Sequence, residues 1–373
     1  MPPTVCTVTP AHNASGTLAR TLDSLLAQRL TDWRGVIVDD GSTDGTGDLA
    51  ESYARADGRF VVLRTERRGL VGARNACLER AIGRYLCLLD ADDVLAPDGL
   101  ERLVSAAEER ARRTGRPSGA YGAFDLIDPA DRRLGTYYPA HGDVGVAEHF
   151  RGLFFVPMCH VVPLEDALAE RFSVETPLYE DLDLYLRLAA RGVVWAEAGG
   201  GPVGGYRCGL ASLSRDMALM LDSARAMQRR AFDLLRRTPE RWPELDLSPA
   251  AERGRLADVT LFWAARLAIT GEGSAEAAAL VGQREPHVRA DARTIRRVVL
   301  RAFRAEIDRG GFRTGVQVRA GRRRVGVFVR SLVSLGLMSR GEGRRCLASL
   351  WAKTGGPWAL LHPIQSTWRW TST

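Results

Sequence analysis

The charge-free run Tyr85-Leu86-Cys87-Leu88-Leu89 ends directly in Asp90-Ala91-Asp92-Asp93, and this junction constrains the fold more than any other stretch. An uncharged run of that length reads as a strand buried on both faces, the environment of a parallel sheet. Its carboxyl end is the edge at which open α/β sheets bind ligands. Three carboxylates crowded there repel one another unless a cation or hydrogen-bond donors compensate. Hard oxygen ligands of this kind suit Mg2+ or Mn2+ bridging to a diphosphate. The same residues also read as an acidic turn opening a helix near Pro97.

Three further short apolar segments precede it. Thr4 to Thr9 is followed by Pro10-Ala11-His12-Asn13 and by Leu18, Leu22, Leu25 and Leu26 at helical spacing. Val36-Ile37-Val38 ends in the glycine-punctuated turn Asp39 to Thr46 before a helix over 48–56, and Phe60 to Leu63 leads through Gly69 into a helix over 71–82. The order β-α-β-α-β-α-β over about the first 90 residues implies right-handed crossovers and a parallel sheet. Its carboxyl edge would gather Asn13, Asp39, Asp40, Arg74 and the Asp90 to Asp93 cluster.

Taken together, these residues resemble the family 2 glycosyltransferases. The likeness rests on Val5 to Asn13, Val-Asp-Asp-Gly-Ser-Thr-Asp-Gly-Thr at 38–46, Ala73-Arg74-Asn75, Leu89 to Asp93, and Tyr179-Glu180-Asp181-Leu182-Asp183 with Arg187. It covers roughly residues 4–215. The resemblance implies a GT-A fold, an α/β architecture with a Rossmann-like, mostly parallel central sheet flanked by helices. It divides the chain into a catalytic domain over 1–215, with a nucleotide-sugar half (1–110) and an acceptor half (111–215), and a mainly helical, arginine-rich region over 216–373.

The resemblance also implies roles. Asp92 would hold Mn2+ or Mg2+, and Asp90 would bind the ribose or a metal-bound water. Pro10, His12, Asn13, Asp40 and Arg74 would form the rest of the donor nucleotide site, with Asp40 at the nucleobase edge. Asp181 would be the general base for inverting transfer from a nucleoside diphosphate sugar, UDP-sugar first, to a glycan, lipid-linked or small-molecule acceptor. Asp93, Glu180, Arg207 and Arg215 are candidate acceptor or diphosphate contacts. Carboxylate neighbours and a partly dry pocket raise the pKa of a base towards the working pH. A second reading of Glu180 and Asp181 is the acidic first turn of a helix, and Asp39 and Asp44 read equally as turn and capping residues. Two positions depart from the family pattern. Leu182 stands where many relatives have Trp, and Cys208-Gly209 follows Tyr206-Arg207 where many have His. His12 and His160 are isolated histidines that read as structural.

Other classes fit less of the chain. A haloacid-dehalogenase-type phosphatase would use Asp90 as nucleophile and Asp92 as acid/base, but on a first strand and with a downstream lysine. Here the motif follows the fourth strand, and Lys353 is the single lysine of the chain. The same scarcity of lysine argues against a P-loop, a lysine-bound pyridoxal phosphate and a sugar nucleotidyltransferase. The run Gly69-Leu70-Val71-Gly72 lacks the third glycine of a dinucleotide fingerprint.

Charge is uneven. Residues 286–353 hold 17 basic against 4 acidic side chains, so a formal charge of +7 conceals a mildly acidic remainder. Arg322-Arg323-Arg324 and Arg344-Arg345, interleaved with Phe328, Leu332, Leu335, Trp351, Trp358, Trp368 and Trp370, would suit peripheral contact with an anionic membrane, even as a non-catalytic adaptor. They would equally suit a helical subdomain with solvated arginines. With no helix-turn-helix or zinc pattern, nucleic acid is not an expected partner. No secretory leader or membrane-spanning run is visible, which predicts a cytoplasmic protein. The six cysteines lack zinc-site spacing and read as reduced, small core residues.

Overall fold

The computed structural model describes residues 1–150, 157–208, 217–270, 273–285, 291–308 and 315–352. By packing they fall into two compact units, the first built on Met1–Arg207 with Glu240–Leu245, the second on the helices from Cys208 onward.

The first unit begins with strict alternation: β1 (Val5–Ala11), α1 (Leu18–Leu26), β2 (Trp33–Asp40), α2 (Thr46–Ala56), β3 (Phe60–Thr65), α3 (Gly69–Leu78), β4 (Tyr85–Leu88). Every residue of β1 is buried, as a central strand covered by helices on both faces requires. Leu18, Leu22 and Leu25 turn one face of α1 into the core, while Leu26 is partly exposed. Helix α3 starts two residues before the periodicity suggests, because a buried carboxylate holds its first turn. The chain continues through β5 (Val94–Leu95), α4 (Gly99–Thr114), β6 (Ser118–Ile127), β7 (Arg133–Tyr137), α5 (Val146–Phe150), β8 (His160–Pro163), α6 (Leu164–Glu170), α7 (Glu180–Arg191) and β9 (Val194–Arg207).

One sheet takes all nine strands in the order β3-β2-β1-β4-β8-β6-β9-β5, with β7 on β6. The first four strands are mutually parallel. Beyond them β8 runs antiparallel to both β4 and β6, β6 and β9 pair in parallel, and β5 runs antiparallel to β9, so the sheet is mixed outside its first four strands. This order brings β9 alongside β5, directly after the Asp90 to Asp93 turn. All six cysteines are buried thiols.

The second unit is helical: α8 (Met217–Leu235), α9 (Pro249–Thr270), α10 (Ser274–Arg284), α11 (Ala292–Asp308), α12 (Gly315–Ser334) and α13 (Arg340–Ala352). Its core joins Leu261, Ala264 and Ala268 of α9 to Val281, Val298, Phe328, Leu332 and Cys346. Phe328 and Leu332, expected as membrane-facing side chains, are therefore interior. Leu335 is half exposed. Trp358, Trp368 and Trp370 and the side chains of Arg322 and Trp351 lie outside the described residues. No helix among the described residues is long and apolar enough to cross a membrane.

Candidate active site

The loops after β1 and β2 lock together first. Asn13 adopts a left-handed backbone, φ 48°, which Asn tolerates through local hydrogen bonds. Its Oδ1 accepts from Thr43 N–H at 2.9 Å, and its own N–H donates to Ser42 Oγ at 3.0 Å. His12 Nδ1 meets the Asp40 carbonyl at 2.9 Å and its Nε2 meets Asn13 Nδ2 at 3.2 Å. A carbonyl only accepts, so the neutral ring carries its proton on Nδ1. Asp44 accepts from Ser15 N–H, Thr46 N–H and Thr46 Oγ1. Partial burial works against its charge, but these bonds outweigh it and hold the carboxyl well below the usual range. Asp39 accepts from Ser42 N–H at 3.1 Å. Both therefore hold their turn together.

Asp40 is buried, and its two oxygens accept the N–H groups of Arg68 (2.6 Å) and Gly69 (2.9 Å). It anchors the first turn of α3, where backbone donors are otherwise unsatisfied. Both of its oxygens thus have a structural role in this turn.

Arg74, on α3, is 2% exposed. Its Nη2 donates to Asp90 Oδ1 at 2.7 Å, and its Nη1 pairs with Glu180, the first residue of α7. One guanidinium thereby joins the strand-end carboxylate Asp90 to the acidic helix start, Arg74 and Glu180 lying 106 residues apart in sequence. Asn75 completes the clasp: its side chain both donates to and accepts from the backbone of Phe172 at 3.0 Å, fixing the segment that leads to α7. Arg74 and Glu180, the expected donor-site and acceptor or diphosphate contacts, are buried against each other. Burial pushes Glu180 up against the pull of Arg74.

The Asp90 to Asp93 turn is held from three sides. Asp93 N–H donates to Asp90 O, Thr21 Oγ1 donates to Asp93 O at 2.8 Å, and Arg207 N–H donates to Asp93 Oδ1 at 2.9 Å. Arg207 Nε donates to Asp92 O at 2.7 Å, and its Nη1 reaches Asp128 O at 3.1 Å and Asp131 Oδ1 at 2.5 Å. The Arg207 side chain is fully buried and Asp93 nearly so. Both brace the turn from its interior. Arg215 lies outside the described residues.

Asp92 keeps partial exposure. Burial and the charge of Asp90 push its carboxyl up to about 6, and burial with both neighbours pushes Asp93 well above the usual range. Asp181 sits in the first turn of α7, accepts from Leu182 N–H at 2.7 Å and is raised by burial, with Arg74 opposing and Asp90 adding. The cap residue of α7 is Tyr179, which makes no side-chain capping bond. No group of three or more metal-ligating side chains occurs among the described residues. Pro10 is buried within β1 and His12 and Asn13 are exposed at its end. His160 stands against the Tyr185 ring, centroids 4.1 Å apart, as a core residue.

The bracing residues Thr21, Asp128 and Asp131 escaped the sequence reading, and Asn75 entered it only as part of the Ala73-Arg74-Asn75 motif. Thr21 alone left a signal, a hydroxyl inside the apolar stripe of α1.

Comparison with known proteins agrees with this geometry. Residues 6–132 match the family model described as glycosyl transferase family 2. A Bacillus subtilis protein named provisionally as the teichuronic acid biosynthesis glycosyltransferase TuaG is 43% identical over 110 residues, 29% of this chain and 44% of that protein. The amylovoran biosynthesis glycosyltransferase AmsB of Erwinia amylovora is 33% identical over 188 residues, 48% of this chain and 62% of that protein. The chain thus spans under two thirds of each of these relatives. Among solved structures, S. aureus TarS 1–349 superposes with a TM-score of 0.54 at 16% identity over 90% of this chain and 93% of that one. Its complex with UDP-GlcNAc gives 0.51 at 13% identity over the same shares. Sequence match and fold thus agree: residues 6–132 are similar to the family 2 glycosyltransferases, and the architecture is similar to the GT-A fold of TarS.

Proposed function

We propose that the chain transfers a sugar from a UDP-sugar to an acceptor hydroxyl with inversion at the anomeric carbon, in the synthesis of a polysaccharide or related glycoconjugate. The observation behind this reading is the Arg74 bridge, which gathers Asp90, Glu180 and Asp181 into one charged cluster. The relatives' names point to polysaccharide synthesis, and the UDP-GlcNAc complex of TarS supports the donor class.

In this reading Asp181 is the base. Its raised pKa keeps it able to take the acceptor proton while the hydroxyl oxygen attacks from the face opposite the diphosphate. Glu180 is held by Arg74, which leaves Asp181 as the carboxylate of that pair not tied to an arginine among the described residues. Asp92, with Asp90 beside it, would hold Mn2+ or Mg2+. The fit rests on the strained charge of Asp92, which a cation relieves, and on the habit of such ions of using one or two protein carboxylates plus substrate phosphates and water. The ion supplies charge neutralisation for the departing diphosphate. The phosphatase alternative loses ground, because its nucleophile would be Asp90, already engaged by Arg74.

The acceptor end is open to a lipid-linked or polymeric substrate, and we infer peripheral contact of the second unit with an anionic, cytoplasm-facing membrane. The test of the main reading is product analysis. Incubation with a panel of UDP-sugars and Mn2+ should give an anomer opposite to the donor's by NMR. Retention, or activity undiminished in excess EDTA, overturns the inverting or the metal assignment respectively.

A further inference from the structure

Helices α12 and α13 enclose a groove of about 450 Å3 wholly within the second unit. Its floor is apolar, from Val329, Val333 and Leu347, and its rim carries Arg330, Arg340 and Arg344. The helices approach closely because position 343 is glycine: a Cβ there would come within 2.7 Å of Val333 Cγ2.

The three rim arginines are exposed. Several arginines elsewhere in the unit are paired, Arg225 with Glu285, Arg236 with Glu252, Arg297 with Asp258 and Arg345 with Glu342, and Arg324 donates to the carbonyls of Ile269 and Thr270. Among the described residues no carboxylate pairs with Arg330, Arg340 or Arg344. Three like charges converging on one concavity repel one another, and guanidinium forks match phosphate oxygens in bidentate fashion.

We infer that this groove seats the headgroup of an anionic phospholipid, with the phosphate among the three arginines and the first apolar carbons on Val329, Val333 and Leu347. The inference rests on the peripheral membrane contact proposed above and gives it a location. An acidic polysaccharide would satisfy the arginines but has no apolar segment for the floor. The chain's own residues 353–373 contain no Asp or Glu and so do not complement the rim.

The test is vesicle co-sedimentation of the full chain at low and high salt. Phosphatidylcholine vesicles with and without about a third phosphatidylglycerol serve as the probes, and polyglucuronate as the competing anion. Each arginine near an anionic surface contributes enough that removing three lowers partition by about a hundredfold. The triple variant Arg330→Gln, Arg340→Gln, Arg344→Gln is expected to lose binding to that extent, with an unchanged melting temperature. A control triple, Arg229→Gln, Arg253→Gln, Arg293→Gln, removes equal charge from exposed positions outside the groove and is expected to cost about threefold or less. Equal losses in both triples overturn the groove while leaving membrane contact standing. No binding of the wild type to anionic vesicles overturns both, as does retention on polyglucuronate in place of vesicles. Undiminished binding to neutral vesicles overturns the role of the phosphate.

Discussion

Removing a guanidinium buried between two carboxylates leaves two uncompensated charges, whereas shortening it leaves one imperfect pair. Arg74→Met should therefore destabilise the protein by about 3 to 5 kcal/mol, the usual cost of breaking a buried pair from one side. Arg74→Lys should cost less, since an ammonium keeps the charge but not the fork that reaches Asp90 and Glu180 together. Adding Glu180→Gln to Arg74→Met should recover part of the loss, and urea unfolding of the three variants checks the order. The two working carboxylates separate differently. Asp92→Asn should cut transfer by at least about tenfold and abolish the Mn2+-dependent gain in melting temperature on adding UDP. Asp181→Asn should cut turnover by about 10² to 10⁴ with UDP affinity little changed. Near-normal turnover in that variant would leave Asp181 as a helix-start residue only.

At the level of elements, the turn bearing Asp92 is only as well placed as the strands beside it. Gly204 pairs with Leu95 in the short β5–β9 ladder, and a Cβ on Gly204 would sit 2.5 Å from the Val94 carbonyl. Gly204→Ala should push β5 away and shift the turn that Arg207 clamps, lowering turnover more than stability; comparing the transfer rate with the melting temperature checks this. The elements themselves were legible: charge-free runs marked β1, β2, β3 and β4, leucine spacing marked α1, and the acidic first turn at Glu180 and Asp181 marked α7. Their partners were not. The contacts of Arg207 with Asp93 and of Arg74 with Glu180 cross more than 100 residues, and the strand order that makes them possible breaks chain order at β8, β6 and β9. Arg207 and Glu180 were read from charge as ligand contacts because spacing carries no information about what a side chain is buried against. At Gly199-Gly200-Gly201 strand β9 runs on through three glycines, the ladder shifting from Gly122 opposite Ala198 to Ala123 opposite Pro202. Three residues bulge out and the pairing resumes.

For the whole molecule, deletion of residues 320–373 is one way to isolate membrane contact. That deletion removes Val325, Phe328, Val329 and Leu332 from the second unit's core, so surface substitutions are the cleaner instrument. The acidic cluster offers a test that leaves the chain intact. Asp92, Asp93 and Asp181 all have folded pKa values raised by burial, Asp92 to about 6. A carboxyl raised in this way binds its proton more tightly folded than unfolded. Its contribution is present below the unfolded pKa of about 4 and is lost as pH rises through the folded value. Without metal or nucleotide the melting temperature should therefore fall between about pH 4.5 and about pH 7.5, most steeply near 6, and Asp92→Asn should flatten that slope. Turnover should run the opposite way, rising with pH as Asp181 loses its proton. Adding Mn2+ with UDP at about pH 7.5 should restore much of the lost melting temperature, because a bound cation neutralises the charge that burial penalises. A melting temperature that rises steadily over this pH range without metal would mean that the carboxylates are compensated within the protein and that the cluster holds no standing demand for a cation.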